Sequence, residues 1–469
     1  MQCTEIKLDL QKLIKNNIPQ YLDIVPIVDQ IVTNQGRPLL VGGAVRDLLL
    51  GLPIKDVDIE VHGIALDSLQ QILAHYGPVD LVGKSFGVLR IHGLNVDWSL
   101  PRTDSSGRHP EVTLNPTMSI EDAFRRRDLT INAMGIDLKS FELIDPWNGL
   151  ADLKAGILRA PDPELFVEDP LRLFRVMQFI GRFAMKPTKE LNQICATMDI
   201  KTISIERIEA EFDKLLLKSQ RPSLGIRWIG DIKRLHEILP ELAATLDVPQ
   251  EKDWHPEGDV FEHTMQAIDA GALLSYSDSN EKLIALYALM CHDLGKATTT
   301  KQSKGRWRSH GHDIAGVPLA KKLLKRITAR KDLIIAVAKL VKYHMAPVLF
   351  VKNNAKPPAY KRLASKLAPE VSIELLAKIS LADQRGRNPE PPLPLNSDVP
   401  EITTFLYIAK NYNVVHEPEA PLLLGRDLMA FMEPGPKMGI LLKKAYKIQI
   451  EEGITDKQEL IERIISKTL

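Results

Sequence analysis

Apolar residues recur at i, i+3 and i+4 in EDPLRLFRVMQFIGRF, SIERIEAEFDKLLL and RWIGDIKRLHEIL. That spacing predicts amphipathic helices almost throughout the chain beyond Asn148-Gly149. The stretch from Arg37 to Asp145 has a different texture. RPLLVGG reads as a strand entering a glycine turn, AVRDLLLG as a short helix, and DVDIEVH as a second strand. GVLRIHGLNVDWSL reads as a β-hairpin turning at His92-Gly93. Short amphipathic helices precede this region and stop at Gly36. TLDVPQEKDWHPEGD forms a polar, proline-containing break, and the prolines of RNPEPPLPLNSDVP mark a linker. The pattern predicts an α+β chain. Its expected parts are a helical extension (1–36), a small α/β head (37–146), a helical neck and body (147–250), a second helical domain (251–390) and a helical tail (400–469).

Composition narrows the class. The 469 residues are 44% hydrophobic and 26% charged, with 61 Lys+Arg against 60 Asp+Glu. These values suit a soluble globular protein and exclude a disordered, collagen-like or disulfide-built one. Cys3, Cys195 and Cys291 are too few and too scattered for a disulfide framework or a CxxC zinc site, which points to a reducing cytoplasm. The N-terminus lacks the basic start and apolar core of a secretory signal. No run of about 18 uninterrupted apolar residues offers a membrane span, Leu333–Val341 being short and containing Lys339. The net charge of +1 excludes a uniform polycation, yet it hides an asymmetry. Residues 301–366 hold 17 Lys+Arg and two acids, a net of +15, so the remainder carries −14. Dense positive charge attracts a nucleic-acid backbone, although a basic run is also the ordinary solvated face of a helix.

Two constellations carry candidate chemistry. Asp56 and Asp58 alternate on a strand, so both carboxylates share one face while Val57 points away. Like charges that close call for a cation between them, and divalent metal is the usual answer. Asp97, in LNVDWS, is a candidate third carboxylate. A DxD pair alone is equally a pair of solvated strand-edge acids. Here Gly42-Gly43 lies just upstream, in a strand-to-helix turn that lets backbone N–H groups approach phosphate, and Arg46 follows on that helix. GKATTT at Gly295 is not a phosphate loop, because Met290 stands where that pattern needs its first glycine.

LLVGGAVRDLLLG, KDVDIE, RRRDLTINAM and EDPLRLFRVMQF follow one another in the order and spacing of the class II tRNA nucleotidyltransferases, the bacterial CCA-adding enzymes. The chain resembles that family over these four motifs. The resemblance implies a polymerase-β-like nucleotidyltransferase head followed by an all-helical neck, body and tail. It implies that Asp56 and Asp58 are catalytic and bind Mg²⁺, and that Gly43 and Arg46 meet the triphosphate of ATP or CTP. It further assigns Arg127, Asp128 and Asn132 to phosphates and ribose, and Asp169 and Arg172 to the base edge, with Arg175 also in the nucleotide site. As helix positions at i, i+3, Asp169 and Arg172 would share a face and offer an acceptor beside a donor. Gln178 departs from the family, which commonly has an arginine there; Arg182, one turn on, is a candidate replacement. The loop-like segment PRTDSSGRHPEVTLNPTM is associated in this family with adding the terminal A. Lys84-Ser85 stands where poly(A) polymerases of the same head carry a basic run.

The second constellation is histidine-rich. His263, His292-Asp293, His310, His312-Asp313, His344 and Asp383 follow in the order H…HD…H…H…D across predicted helices. Mixed imidazole and carboxylate ligands suit a transition metal such as Ni, Mn, Co or Zn. The order resembles the HD phosphohydrolases, and WHPEGDVFEHT with CHDLGK resembles the HD domain attached to one branch of the CCA-adding enzymes. The resemblance implies metal-activated hydrolysis of 2′,3′-cyclic or 2′-phosphate ends. His263, His292, Asp293 and Asp383 are the expected ligands, with His312 and His344 able to hold a second ion. In the tail, Pro434-Gly435-Pro436 before a helix is equally a tRNA-phosphate turn or a plain helix start. The leading expectation is addition of CMP, CMP and AMP to a tRNA 3′ end from CTP and ATP, with no membrane partner. The alternatives are an A-adding enzyme or poly(A) polymerase on the same fold, and an RNA-binding HD hydrolase with a vestigial head.

Overall fold

A computed structural model describes residues 2–54, 56–82, 87–104, 112–390 and 393–465. Lys84-Ser85 and the middle of the 101–118 segment lie outside these residues. The chain divides into two compact units, 1–204 and 205–469, and the division falls inside the expected neck and body.

The first unit opens with helices α1 (Gln2–Asn17) and α2 (Tyr21–Thr33). α2 buries Ile24, Ile27, Val28 and Ile31, the i, i+3, i+4, i+7 stripe of an amphipathic helix. A seven-stranded sheet follows, built from β1 (Arg37–Val41), β2 (Val57–His62), β3 (Val79–Val82), β4 (Val88–Ile91), β5 (Val96–Ser99), β6 (Gly135–Asp137) and β7 (Leu143–Ile144). Their spatial order is β3-β4-β5-β2-β1-β6-β7. β2 and β5 run parallel, with Asp58 registered on Asp97 and Ile59 on Trp98. Helix α3 (Gly43–Leu49) follows β1 directly, and α4 (Leu66–Ala74) packs on β3 and β4. α5 (Ile120–Arg125) starts where the Ser119 hydroxyl accepts from the Asp122 N–H at 3.0 Å, an ordinary N-cap. Helix α6 (Leu171–Phe183) buries Leu173, Phe174, Val176, Met177, Phe179 and Ile180 and carries Arg172, Arg175 and Arg182.

Among the described residues, the second unit is helical apart from one small hairpin. Its centre is a set of five helices: α7 (Val260–Ala272), α8 (Ser279–Cys291), α9 (His312–Ile327), α10 (Lys331–Tyr343) and α11 (Ile373–Arg385). α7 packs on α8 and α11, and α10 packs on α8 and α9. Asp259 and Asp278 cap α7 and α8 by accepting from Glu262 and Glu281 N–H groups at 2.7 Å, and Ser372 caps α11. The Lys331–Lys352 run is long and apolar enough, by length and composition, to cross a membrane. Leu333, Val337, Leu340 and Val341 of α10 are buried in this helix set, which is where that apolarity is used. The hairpin, β8 (Lys301–Ser303) and β9 (Arg306–Arg308), turns at Lys304-Gly305, both with positive φ. The sequence pattern missed it because lysine is an unusual residue for the first position of such a turn. Downstream, α12 (Pro436–Glu452) packs a separate tail cluster that includes Leu428, Ala445, Leu460 and Ile464.

Candidate functional site

The first unit gathers its acids on adjacent strands. Asp58 on β2 and Asp97 on β5 are register partners, and Asp56 stands exposed just ahead of β2. Burial raises the Asp58 pKa above the usual carboxylate value; nearby Arg127 opposes this, and Asp97 and Asp56 push the same way as burial. A divalent cation beside Asp58 would offset the repulsion that Asp97 and Asp56 exert on its charge. Arg90 pairs with Asp97 at 2.5 Å. Glu60 and His62 continue the same alternation beyond Asp58 and bond each other at 3.0 Å. Arg127 reaches Glu60 at 3.3 Å. Sequence reading overlooked Glu60 and His62, although the period-two run 56, 58, 60, 62 places all four on one face.

Gly42 has φ +69°, which is why the turn needs glycine; a Cβ there would also come within 2.8 Å of the Arg127 guanidinium. Arg46 is buried and donates to Asn132 Oδ1 at 2.5 Å and to Asp47. Asn132 donates to Asp128 Oδ1 at 2.9 Å, and Arg175 donates to Asp128 Oδ2 at 2.6 Å. Burial alone would raise the Asp128 pKa, but Arg175 and Asn132 outweigh it and hold the carboxyl below its usual value. The guanidiniums of Arg46, Arg175 and Arg182 all lie within 5.8 Å of the Phe179 ring. Gln178 is buried, with its Oε1 3.4 Å from Arg182.

One expectation is corrected. α6 begins at Leu171, so Asp169 and Arg172 are not two positions of one helix face. Asp169 precedes the helix and accepts from the Leu171 N–H at 3.1 Å. Pro170 explains the offset, since the residue before a proline avoids helical backbone. Arg172 donates to the Leu165 and Arg126 carbonyls at 2.7 and 2.6 Å.

The second unit brings the histidine set together. His263 lies on α7, His292-Asp293 at the end of α8, His312 opens α9, His344 follows α10 and Asp383 lies on α11. His263 Nε2 is 3.2 Å from His292 Nε2 and from Asp383 Oδ1. Asp293 Oδ2 is 3.3 Å from His292 Nε2, and its Oδ1 is 3.3 Å from His312 Nε2 and 3.9 Å from His344 Nε2. Asp293 therefore faces two triads, His263–His292–Asp293 and Asp293–His312–His344. His310 is exposed at the mouth of the adjoining cavity and belongs to neither triad.

The rings are aimed by their other nitrogens. Nδ1 of His292, His312 and His344 each bonds a main-chain carbonyl at 2.7 Å. A carbonyl only accepts, so Nδ1 holds the proton and Nε2 turns a lone pair inward. His263 Nδ1 instead meets Glu257 at 2.7 Å, and Glu257 also meets His255 at 2.9 Å. Lys296 lies 2.7 Å from Asp293 Oδ2 and Arg387 lies 3.0 Å from Asp383. Burial opposes charge on Asp293 and Asp383, but Lys296 and Arg387 lead the neighbours that hold both well below the usual carboxylate range. Burial opposes charge on His263 too, yet its bonds to Asp383 and Glu257 lift its pKa to about 9. Burial first, then His312 and His292, depress His344 to about 3. Asp293 Oδ1 is buried without a hydrogen-bond partner among the described residues. An orphaned carboxylate oxygen among inward lone pairs fits a bound cation. Sequence reading missed the supporting Glu257, inside WHPEGDVFEHT, Lys296, at the end of CHDLGK, and Arg387.

Comparison with known proteins matches each unit to a family. Residues 39–159 match the Poly A polymerase head domain, and residues 260–384 match the HD domain. The chain therefore carries a Poly A polymerase head domain and an HD domain. Solved structures with this fold include a CCA-adding enzyme with ATP, at 20% identity and TM-score 0.62 over 98% of each chain. A Thermotoga maritima CCA-adding enzyme complexed with tRNA has 19% identity and TM-score 0.58, again over 98% of each chain. A Bacillus stearothermophilus CCA-adding enzyme in complex with CTP has 18% identity and TM-score 0.60, over 96% of this chain and 99% of that one. At such identity the shared property is the fold. The carboxylates of β2 and β5 lie within the matched head, and His263, His292, Asp293, His312, His344 and Asp383 all lie within the matched HD domain.

Proposed function

We propose that the chain is a CCA-adding tRNA nucleotidyltransferase of the cytoplasm, adding CMP, CMP and AMP from CTP and ATP without a nucleic acid template. The observation that carries this reading is the continuous Arg46–Asn132–Asp128–Arg175 network beside the Asp56, Asp58 and Asp97 carboxylates. In the reaction the tRNA 3′-hydroxyl oxygen bonds to the α-phosphorus, the bond to the β-phosphate oxygen breaks, pyrophosphate leaves and the hydroxyl proton is released. Asp56 and Asp58 would hold Mg²⁺, which when bound would supply Lewis-acid activation of the hydroxyl and charge neutralisation at the leaving group. Gly43, Arg46 and Arg127 are assigned to the triphosphate, with Arg175, Asp128 and Asn132 holding the nucleotide pocket in shape. Asp169 and Arg172 are assigned to the base edge, which requires Arg172 to exchange its carbonyl partners for the base. Gly42 rather than Gly43 carries the unusual backbone of the turn.

The HD domain is proposed to be a metal-dependent phosphohydrolase for 2′,3′-cyclic or 2′-phosphate ends. His263, His292, Asp293 and Asp383 would hold a transition metal, and His312 and His344 would hold a second ion. Lys296 and Arg387 supply cations for the phosphoryl oxygens.

The test offers labelled CTP and ATP separately to a tRNA transcript lacking CCA and to one ending in CC. The expected result is CTP incorporation on the first and ATP incorporation on the second. ATP incorporation alone, confined to the CC end, would establish an A-adding enzyme, and long A tracts would establish a poly(A) polymerase. Asp58→Ala should abolish incorporation and leave cyclic-phosphate hydrolysis in place, and His292→Ala should do the reverse.

A further inference from the structure

A cavity of about 510 Å³ opens onto the His–Asp centre, and its lining includes Asp293, His312, His344 and Asp383. Its outer wall differs from its floor. Trp254 and Trp307 both line it, 57% and 39% exposed. Trp254 sits on the 251–255 turn, and Trp307 sits on β9. Nothing in the core requires either ring, and large aromatics left in water beside a polar cavity point to a ligand with a flat apolar face.

These two supports are fastened to each other. The Trp307 main-chain N–H donates to Glu251 Oε2 at 3.2 Å, and Arg306 faces Asp253 at 3.8 Å. At the base of the hairpin the Thr300 and Ser309 hydroxyls bond at 2.8 Å. The chain enters the hairpin from His292-Asp293 and leaves it into His312, so its ends are pinned by the centre itself. Its eight residues, KQSKGRWR, contain four cations and no acid. Lys352 lies 5.3 Å from the Trp254 ring centroid and adds a further cation. Aromatic faces interleaved with cations, around a cavity that ends at a phosphate-cleaving centre, are the parts a single-stranded nucleic acid end requires. Base stacking supplies sequence-tolerant affinity, and cations track the backbone.

We propose that Trp254 and Trp307 form a stacking site for the terminal nucleobase of an RNA 3′ end whose phosphate enters the His–Asp centre. The inference rests on the phosphohydrolase reading and deepens it. It makes the substrate a nucleotide end, recognised by its base as well as its phosphate, and it makes base identity a weak determinant. A base-blind phosphatase would need neither tryptophan.

The experiment uses the full chain and a trinucleotide ending in adenosine 2′,3′-cyclic phosphate, compared with the same trinucleotide lacking its terminal base. Binding is followed by tryptophan fluorescence and calorimetry with Mn²⁺ present. The wild-type chain should bind the base-bearing end about tenfold more tightly than the abasic end, with quenched emission. In Trp254→Ala and Trp307→Ala the ratio should fall towards one, and Trp→Phe at either position should restore most of it. A ratio near one in the wild type, or a tenfold ratio surviving in the double alanine variant, would overturn the proposal. Ring opening of the same cyclic phosphate is measured in parallel. Base-dependent binding without ring opening sinks the hydrolase reading alone, and ring opening without base dependence sinks the stacking site alone. Both tryptophans are at the surface, so thermal unfolding of the alanine variants should match the wild type.

Discussion

Gly295, the glycine of GKATTT, is not shaped for phosphate; it is the point where the segment after α8 touches α9. A Cβ built there would lie 2.0 Å from the His312 carbonyl oxygen and 2.7 Å from the Gly316 nitrogen. Ordinary contact begins near 3.4 Å, so Gly295→Ala must push the first turn of α9 away by about 1.4 Å. Both obstacles are backbone, which leaves no side chain to rotate aside. Overpacking of this kind costs about 1–3 kcal/mol. The displaced turn begins with His312, whose Nε2 is 3.3 Å from Asp293 Oδ1. A metal site tolerates about 0.2 Å in its ligand distances, so the triad through His312 should fail before the fold does. The expected outcome for Gly295→Ala is a thermal midpoint lowered by several degrees and loss of the second of two Mn²⁺ ions by calorimetry. Nucleotide incorporation at the head should persist in the same preparation. A variant within about 0.5 kcal/mol of wild type that still binds two ions would refute the reasoning.

Three further outcomes test other links. Asp137 accepts from Arg37 and from the Lys139 and Ser140 N–H groups, and these outweigh burial to hold its pKa below the ordinary value. Its contribution to stability is therefore complete above about pH 4 and lost as pH falls through the lower folded value. Urea midpoints of wild type and Asp137→Asn should differ at pH 6 and converge towards pH 2. Arg175→Ala removes a charge-assisted bond to buried Asp128 worth about 1.5–3 kcal/mol, so CTP and ATP incorporation should fall about tenfold or more, with Arg175→Lys recovering part. Lys296 places an ammonium 2.7 Å from Asp293, and Lys296→Met should tighten Mn²⁺ binding about tenfold in a calorimetric titration; equal or weaker binding would count against the assigned ligand.

Sequence periodicity located the strand pair and most helices because those elements bury one face, and burial is written in the spacing of apolar residues. It could not show that β2 and β5 pair in parallel, since that depends on a partner 39 positions away, Asp58 on Asp97. The start of α6 was misplaced for a local reason: Asp169 looks like a helix residue until Pro170 is taken into account. The histidine set was legible as an order of ligand types, but Glu257, Lys296 and Arg387 were not, because their roles exist only once five elements converge. The charge asymmetry was legible as arithmetic and opaque as geometry. Arg326 and Lys322, counted in the +15 segment, are engaged by Glu241, and Arg330 by Glu209 and Asp213. Of the hairpin cations, Arg306 and Arg308 line the cavity, and only Arg306 lies near an acid, Asp253 at 3.8 Å, among the described ion pairs. An excess of charge therefore identifies no binding surface by itself. What matters is which cations the fold has already neutralised: Lys322, Arg326 and Arg330 are held by acids, whereas Lys321 and Lys325 of α9 are exposed and, like Arg308 of the hairpin, have no acid partner among the described ion pairs.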